Sequence, residues 1–393
     1  MISVFAVEDT AIQVIWSALP GPHVRLEIGD QSLEVVAPPP AILQRRGRRP
    51  VPLPMPPGTM GGPGAVTIDG LRPDTSYDLT VSGPGVARRL VERVTTLRPP
   101  PGRLLDRFAT INDLHLAEPG FGARHEIEDR WPLPEQGPYT WRCLDAAIDE
   151  AVGWGARALV VKGDMTAGGG PAEFEAVGER LSRVPVPVRA TLGNHEFHDL
   201  VTDGRPILGR YGVDIPREPW AEDRPGMRLV YALTPRPGQR SGVVDAQQRA
   251  QLVALAAQAA GPAFMVLHHQ PQRFAFPTEY PPGIEGRQAR ALLDDLADAN
   301  PAIFVASGHT HRHRRRRYGP IELVEVGSTK DYPGTWTGYA VHEGGIRQVV
   351  RRIAAPDVIA WTECTARAVG GIWRLWSPGR LDDRCFSHRW PTR

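Results

Sequence analysis

Cysteine, lysine and long apolar runs are what this chain has least of. Three cysteines in 393 residues, Cys143, Cys364 and Cys385, are too few for a disulfide framework. None sits in a closely spaced Cys pair, so a thiolate metal site is excluded. Free thiols are expected, with a Cys364–Cys385 bridge as the alternative. Lysine occurs only at Lys162 and Lys330. Arginine carries the rest of the basic charge, which together with abundant Ala, Gly and Pro reads as a coding bias. A charge excess is missing too: the formal net charge of +2 gives no global field to draw nucleic acid or a membrane surface. No run approaches the ~20 apolar residues of a membrane span. Met1 to Thr10 carries Glu8 and Asp9 and lacks the basic start and apolar centre of a secretory signal. The expectation is a soluble, cytoplasmic protein with neither a membrane nor a nucleic-acid partner.

What is present suffices for more than one domain. The length and an apolar content of 41% support a sizeable core. Residues 1–98 read as all-β. Ile12–Trp16, Val24–Ile28 and Tyr77–Val81 are short, partly alternating runs between Gly and Pro. Leu71, Pro73 and then Tyr77 entering a strand resemble the tyrosine corner of fibronectin type III domains, and Trp16 matches their core aromatic. Inside this region Ala37 to Gly64 is rich in Pro and Gly and carries Arg45, Arg46, Arg48 and Arg49. It is expected to be a solvated insertion without regular structure. A stiff proline linker, residues 99–103, follows.

From residue 104 to 353 apolar strands alternate with helices, the pattern of an α/β domain with buried sheets. Strands are expected at Phe108–Asn112, Ala158–Lys162, Val186–Leu192, Leu229–Leu233, Ala263–Leu267 and Ala302–Ala306. Helices are expected at Tyr139–Val152, Pro171–Arg183, Asp245–Ala259 and Arg287–Ala299. After His311 the pattern turns β-rich. Residues 354–393, with Trp361, Trp373, Trp376 and Trp390, are expected to pack on the core, since disordered tails are poor in aromatics.

Five of these strands run into chemistry-bearing segments. They are Asp113-Leu114-His115, Gly163-Asp164, Gly193-Asn194-His195-Glu196, His268-His269 and Gly308-His309-Thr310-His311. Ligands in open α/β sheets gather beyond the carboxyl ends of strands, so these segments should converge. Imidazole and carboxylate donors without thiolate suit divalent Zn, Fe or Mn. A carboxylate between two such ions, about 3.5–4 Å apart, suits an in-line phosphoryl displacement. His195 is expected to give a proton to a leaving group near neutral pH, and Glu196 to orient that imidazole.

In order and spacing, the five segments resemble the calcineurin-like metallophosphoesterase superfamily. The resemblance implies two mixed β-sheets sandwiched by helices, here preceded by the small all-β sandwich. It implies two divalent ions: Asp113, His115 and His311 on the first, Asn194, His268 and His309 on the second, and Asp164 bridging them. His268 is taken over His269 because it follows its strand directly. The resemblance also implies metal-bound hydroxide as nucleophile and His195 as transition-state stabiliser or proton donor. The order of an all-β domain before this one is similar to purple acid phosphatases. Two positions depart from that branch: Thr166 stands where a Tyr ligates ferric iron, and His115 where those enzymes have Gly. Asp-x-His and His268-His269-x-Pro271 are closer to bacterial cyclic-nucleotide phosphodiesterases and glycerophosphodiesterases. The expected substrate is a small phosphodiester, with monoester hydrolysis in the same site. An acid-phosphatase-like monoesterase and a nuclease are the alternatives; a non-catalytic scaffold ranks last because no ligand position is lost. Arg312 to Arg317, directly after the last ligand pair, reads either as a positive rim for phosphate or as the protected edge of a sheet.

Overall fold

The structure is a computed structural model, which describes residues 2–55, 57–86, 89–129, 137–274 and 279–391. Two six-stranded sheets form its centre. In the first, the spatial order is Val188–Thr191, Leu159–Lys162, Leu104–Ile111, Thr335–His342, Gly345–Arg352 and Phe386–Arg389. In the second it is Trp220–Arg224, Met227–Tyr231, Ala263–Val266, Ile303–Ser307, Ile321–Glu325 and Arg314–Tyr318. Both sheets are mixed: the first is parallel over its first three strands and antiparallel over the rest, and the second has a parallel centre with an antiparallel strand at each edge.

Burial on both faces explains why these strands read as continuous apolar runs. Phe108, Val160, Phe264, Phe304 and Tyr339 fill the space between the sheets. The outer face of the first sheet packs on helices Tyr139–Gly153 and Pro171–Leu181. The outer face of the second packs on helices Ala246–Ala257 and Gly286–Ala299. Asp245 and Glu285 start those last two helices by accepting backbone N–H bonds from the first turn. The expected elements hold to within a few residues. The edge strands Trp220–Arg224 and Arg314–Tyr318, charged and without apolar alternation, escape the sequence pattern.

The N-terminal region is all antiparallel. Ile2–Val7, Ile12–Trp16 and Gly64–Ile68 make one sheet; Gln31–Val36, His23–Ile28, Ser76–Ser82 and Leu90–Thr95 make the other. Val14, Trp16, Leu26, Leu79 and Val81 are buried between them. The Tyr77 hydroxyl accepts the backbone N–H of Arg72 at 2.9 Å. Glu8 ties this region to the α/β unit, accepting the Trp154 indole N–H at 3.0 Å and pairing with Arg347 and Arg351.

The 37–64 insertion corrects the sequence reading only in part. Ala41, Leu43 and Leu53 are buried in the same cluster as Phe121, Ile127 and Trp361. Ile42–Leu43 pairs with Val51–Pro52, and Arg367 donates to the Pro54 carbonyl at 2.9 Å. Three apolar side chains of this proline-rich segment are buried, while Ile42, Val51, Met60 and the tip at Arg46, Arg48 and Arg49 are exposed. The arginine run is an edge strand whose charge is met by its neighbours. Arg315 and Arg317 reach Glu322 at 2.6 and 3.2 Å, while Arg312 and Arg316 reach Glu325 at 2.8 and 3.2 Å. Glu322 is held to about 2: burial opposes its charge, but His388, Arg315 and Arg317 outweigh that. The tail is structured, with a helix at Pro356–Thr365 and the strand Phe386–Arg389 closing the first sheet. All three cysteines are buried free thiols. Among the described residues no helix is long and apolar enough to cross a membrane.

Candidate metal centre

The five segments meet where their strands end. The chain turns there sharply, and the turning residues are the donors themselves. Asp113, His115, Asp164, His309 and His311 have φ of 53°, 44°, 50°, 68° and 50°. Non-glycine residues rarely enter the left-handed region, and such strain collects at functional sites. Neighbouring glycines allow the close approach. A Cβ on Gly193 would lie 2.2 Å from the Asp164 carboxylate, and one on Gly163 2.6 Å from His268 Nδ1. Gly193→Ala is therefore expected to push Asp164 aside and lower kcat/KM about 100-fold, since misplacement near 1 Å costs that much. Turnover measured beside circular dichroism would separate this from misfolding.

Asp164 stands at the middle. Its Oδ2 lies 3.5 Å from His115 Nε2, 3.3 Å from His268 Nε2 and 4.0 Å from His195 Nε2. On one side Asp113, His115 and His311 come together, with His311 Nε2 3.7 Å from Asp113. On the other, His268, His269 and His309 gather, and His268 Nε2 lies 3.3 Å from Asn194 Oδ1. His268 Nδ1 is bound to the Lys162 carbonyl at 2.8 Å, which leaves Nε2 for the centre. His269 Nδ1 bonds to Thr234 Oγ1 at 2.8 Å, and its Nε2 has no partner among the described residues. Every expected donor is thus within the cluster, and His269 joins it.

The electrostatics follow from burying many imidazoles around one carboxylate. Burial alone would raise Asp164, yet His268 and His195 hold it well below the usual carboxylate range. Burial opposes the His268 cation, but Asp164 keeps it up at about 9. His309 is pushed down to about 3 by burial and by His268. His115 is driven well down by burial and by His195, so it is neutral as a ligand must be. Neither ring nitrogen of His115 has a hydrogen-bond partner among the described residues. Buried polar atoms are rarely left unmatched, and a divalent cation would satisfy Nε2, the nitrogen that faces Asp164. The mixed imidazole, carboxylate and amide set fits transition metals.

Glu196 departs from expectation. Its carboxylate does not touch the His195 ring. It accepts the backbone N–H groups of Asp164, Thr166 and Gly193 at 2.9, 2.8 and 2.7 Å, and the Thr166 hydroxyl at 3.0 Å. The short turn His195–Phe197 swings Glu196 inward, beneath the loop that bears Asp164. The Ala167 carbonyl aims His195 instead, at 2.7 Å from Nδ1. Sequence reading also passed over His198, whose ring centroid lies 4.1 Å from that of His195. Its spacing, three residues on within one tight turn, was the available signal. Buried Lys162 was missed too: it donates to Asn112 Oδ1 at 2.7 Å, and Asn112 in turn donates to Asp113. Burial pulls this ammonium down to about 7, against the raising pull of Asp113.

No curated protein matches this chain. Similar solved structures include PhoD, at 10% identity and TM-score 0.42, covering 88% of this chain and 85% of that one. A putative 5'-nucleotidase from Staphylococcus aureus has 13% identity and TM-score 0.40, over 62% of this chain and 51% of its own. GAP50, the anchor in the inner membrane complex of Plasmodium, has 12% identity and TM-score 0.43, over 65% and 87%. Likenesses this distant carry no weight for activity. The sequence profile described as calcineurin-like phosphoesterase matches residues 106–313, more than half of the chain and the whole run of donor segments. The chain belongs to the calcineurin-like phosphoesterases and is a metal-dependent hydrolytic enzyme of that family.

Proposed function

We propose that the chain is a dinuclear phosphodiesterase acting on small phosphodiesters, with monoester hydrolysis as a side activity. The observation that carries this is Asp164, a buried carboxylate within 3.5 Å of imidazoles from both halves of the cluster. In this reading Asp113, His115 and His311 hold one ion, Asn194, His268 and His309 the other, and Asp164 serves both. The pair, Mn, Fe or Zn, would supply Lewis-acid polarisation of the phosphoryl oxygens and activation of the attacking water. His195 acts on the leaving group. Its Nδ1 carries the hydrogen donated to Ala167, so Nε2 is the atom that gains and loses the working proton. The preference for diesters is supported by the resemblance of Asp-x-His and His-His-x-Pro. Half-buried Trp373, with its ring centroid 6.1 Å from that of His311, offers an aromatic wall for a second organic substituent.

The test sets a bis-aryl phosphate, cyclic nucleotides and glycerophosphodiesters against aryl phosphate, each with Mn, Zn and Fe. Diesters are expected to turn over faster, and faster monoester hydrolysis would overturn the preference. His195→Ala is expected to lower kcat about 10²–10⁴-fold while metal content stays unchanged. Equal rates for variant and wild type would remove His195 from the chemistry. The N-terminal region reads best as a fibronectin type III-like sandwich, supported by its sheets of three and four strands and by the Tyr77–Arg72 bond.

A further inference from the structure

Three indole N–H groups of the tail converge on the segments around the last ligand pair. Trp376 donates to the Thr310 carbonyl at 3.0 Å, between His309 and His311. Trp361 donates to the Lys330 carbonyl at 2.8 Å. Trp373 donates to Asp331 Oδ1 at 2.8 Å. The other oxygen of Asp331 lies 2.7 Å from His311 Nδ1. Asp331 is fully buried, so each of its oxygens depends on such a donor.

We infer that Trp373 is a positioning residue of the metal centre, which makes the C-terminal segment a working part of it. This rests on reading His311 as a ligand. A ligating imidazole needs its second nitrogen anchored, and the anchor must itself be fixed. The indole N–H fixes one oxygen of Asp331. The other oxygen then meets His311 Nδ1, and Nε2 is left facing Asp113. Without the indole the carboxylate loses its second buried donor and swings, and His311 swings with it. The packing around this relay is tight. Phe121 lies against Trp373 at 5.2 Å between centroids, and the Tyr332 N–H is tied to Thr365 Oγ1 at 2.9 Å.

The test is Mn²⁺ titration of the metal-stripped full chain by calorimetry. Trp373→Phe keeps the ring and removes the donor. It is expected to weaken one of two ions about 10–100-fold and leave the other unchanged. Raised Mn²⁺ should then restore turnover, which a merely structural defect would not allow. Trp390→Phe removes an indole N–H that has no partner among the described residues, and should change neither ion. Asp331→Asn carries the same expectation should Trp373→Phe fail to fold. Trp373→Phe binding both ions as wild type does, while His311→Ala loses one, would overturn the positioning role alone. His311→Ala keeping both ions would overturn the ligand reading beneath it.

Discussion

Asp164→Ala is expected to abolish turnover and to strip the protein of at least one metal ion while leaving it folded. The carboxylate faces both halves of the cluster, His115 at 3.5 Å and His268 at 3.3 Å. Without it, two cations held side by side would repel each other with no charge between them. The lost metal contribution, several kcal/mol of transition-state stabilisation, corresponds to roughly three to five decades in rate. The fold should survive, because among the described residues the carboxylate takes a single main-chain bond, from the His195 N–H, whereas Leu114 and His115 N–H both reach the Asp164 carbonyl, at 2.8 and 2.9 Å. Asp164→Asn sharpens the test. It keeps an acceptor for the His195 N–H, now 2.9 Å from Oδ1, but not the charge. Elemental analysis beside diester turnover checks both variants. Wild-type metal content in Asp164→Ala would contradict the shared-carboxylate reading.

The parts legible in the sequence are those where local pattern and chemistry coincide. Leu159–Lys162 and Ala263–Val266 are short buried runs, and the donors follow them within one or two residues. Strand, turn and ligand are thus written next to each other. The illegible parts are contacts between segments far apart in the chain. Trp373 and Asp331 stand 42 residues apart, and nothing in either neighbourhood names the other. The arginine run looks like free positive charge until Glu322 and Glu325 are known to lie on the adjacent strand. The backbone is illegible for a different reason. The positive φ of His115 and His311 contradicts local preference, and only the finished cluster of turns imposes it. Glu196 belongs to the same class: adjacency points its side chain at His195, whereas a short helical turn sends it the other way.

That turn makes Glu196→Ala the sharpest test of stability. The carboxylate is buried and accepts from four donors on the loop that carries Asp164 and Thr166 and on Gly193. Alanine would leave three backbone N–H groups without an acceptor; the Thr166 hydroxyl can rotate elsewhere. At about 1–3 kcal/mol for each unmet buried donor, less what entering water recovers, the loss is roughly 3–6 kcal/mol. Urea unfolding would read it. Glu196→Gln separates the hydrogen bonds from the charge. Oε2 serves Asp164 and Gly193, while Oε1 serves Thr166 twice, once with backbone and once with hydroxyl. The amide nitrogen would take the Oε1 place, where only one backbone N–H is lost and the hydroxyl can turn to accept. Glutamine should therefore cost about one donor, roughly 1–3 kcal/mol, and keep most of the turnover. Alanine should lose turnover as well, because the Asp164 loop is released. An alanine variant as stable as wild type would mean that this loop is held by its own backbone, and that Glu196 is not its clamp.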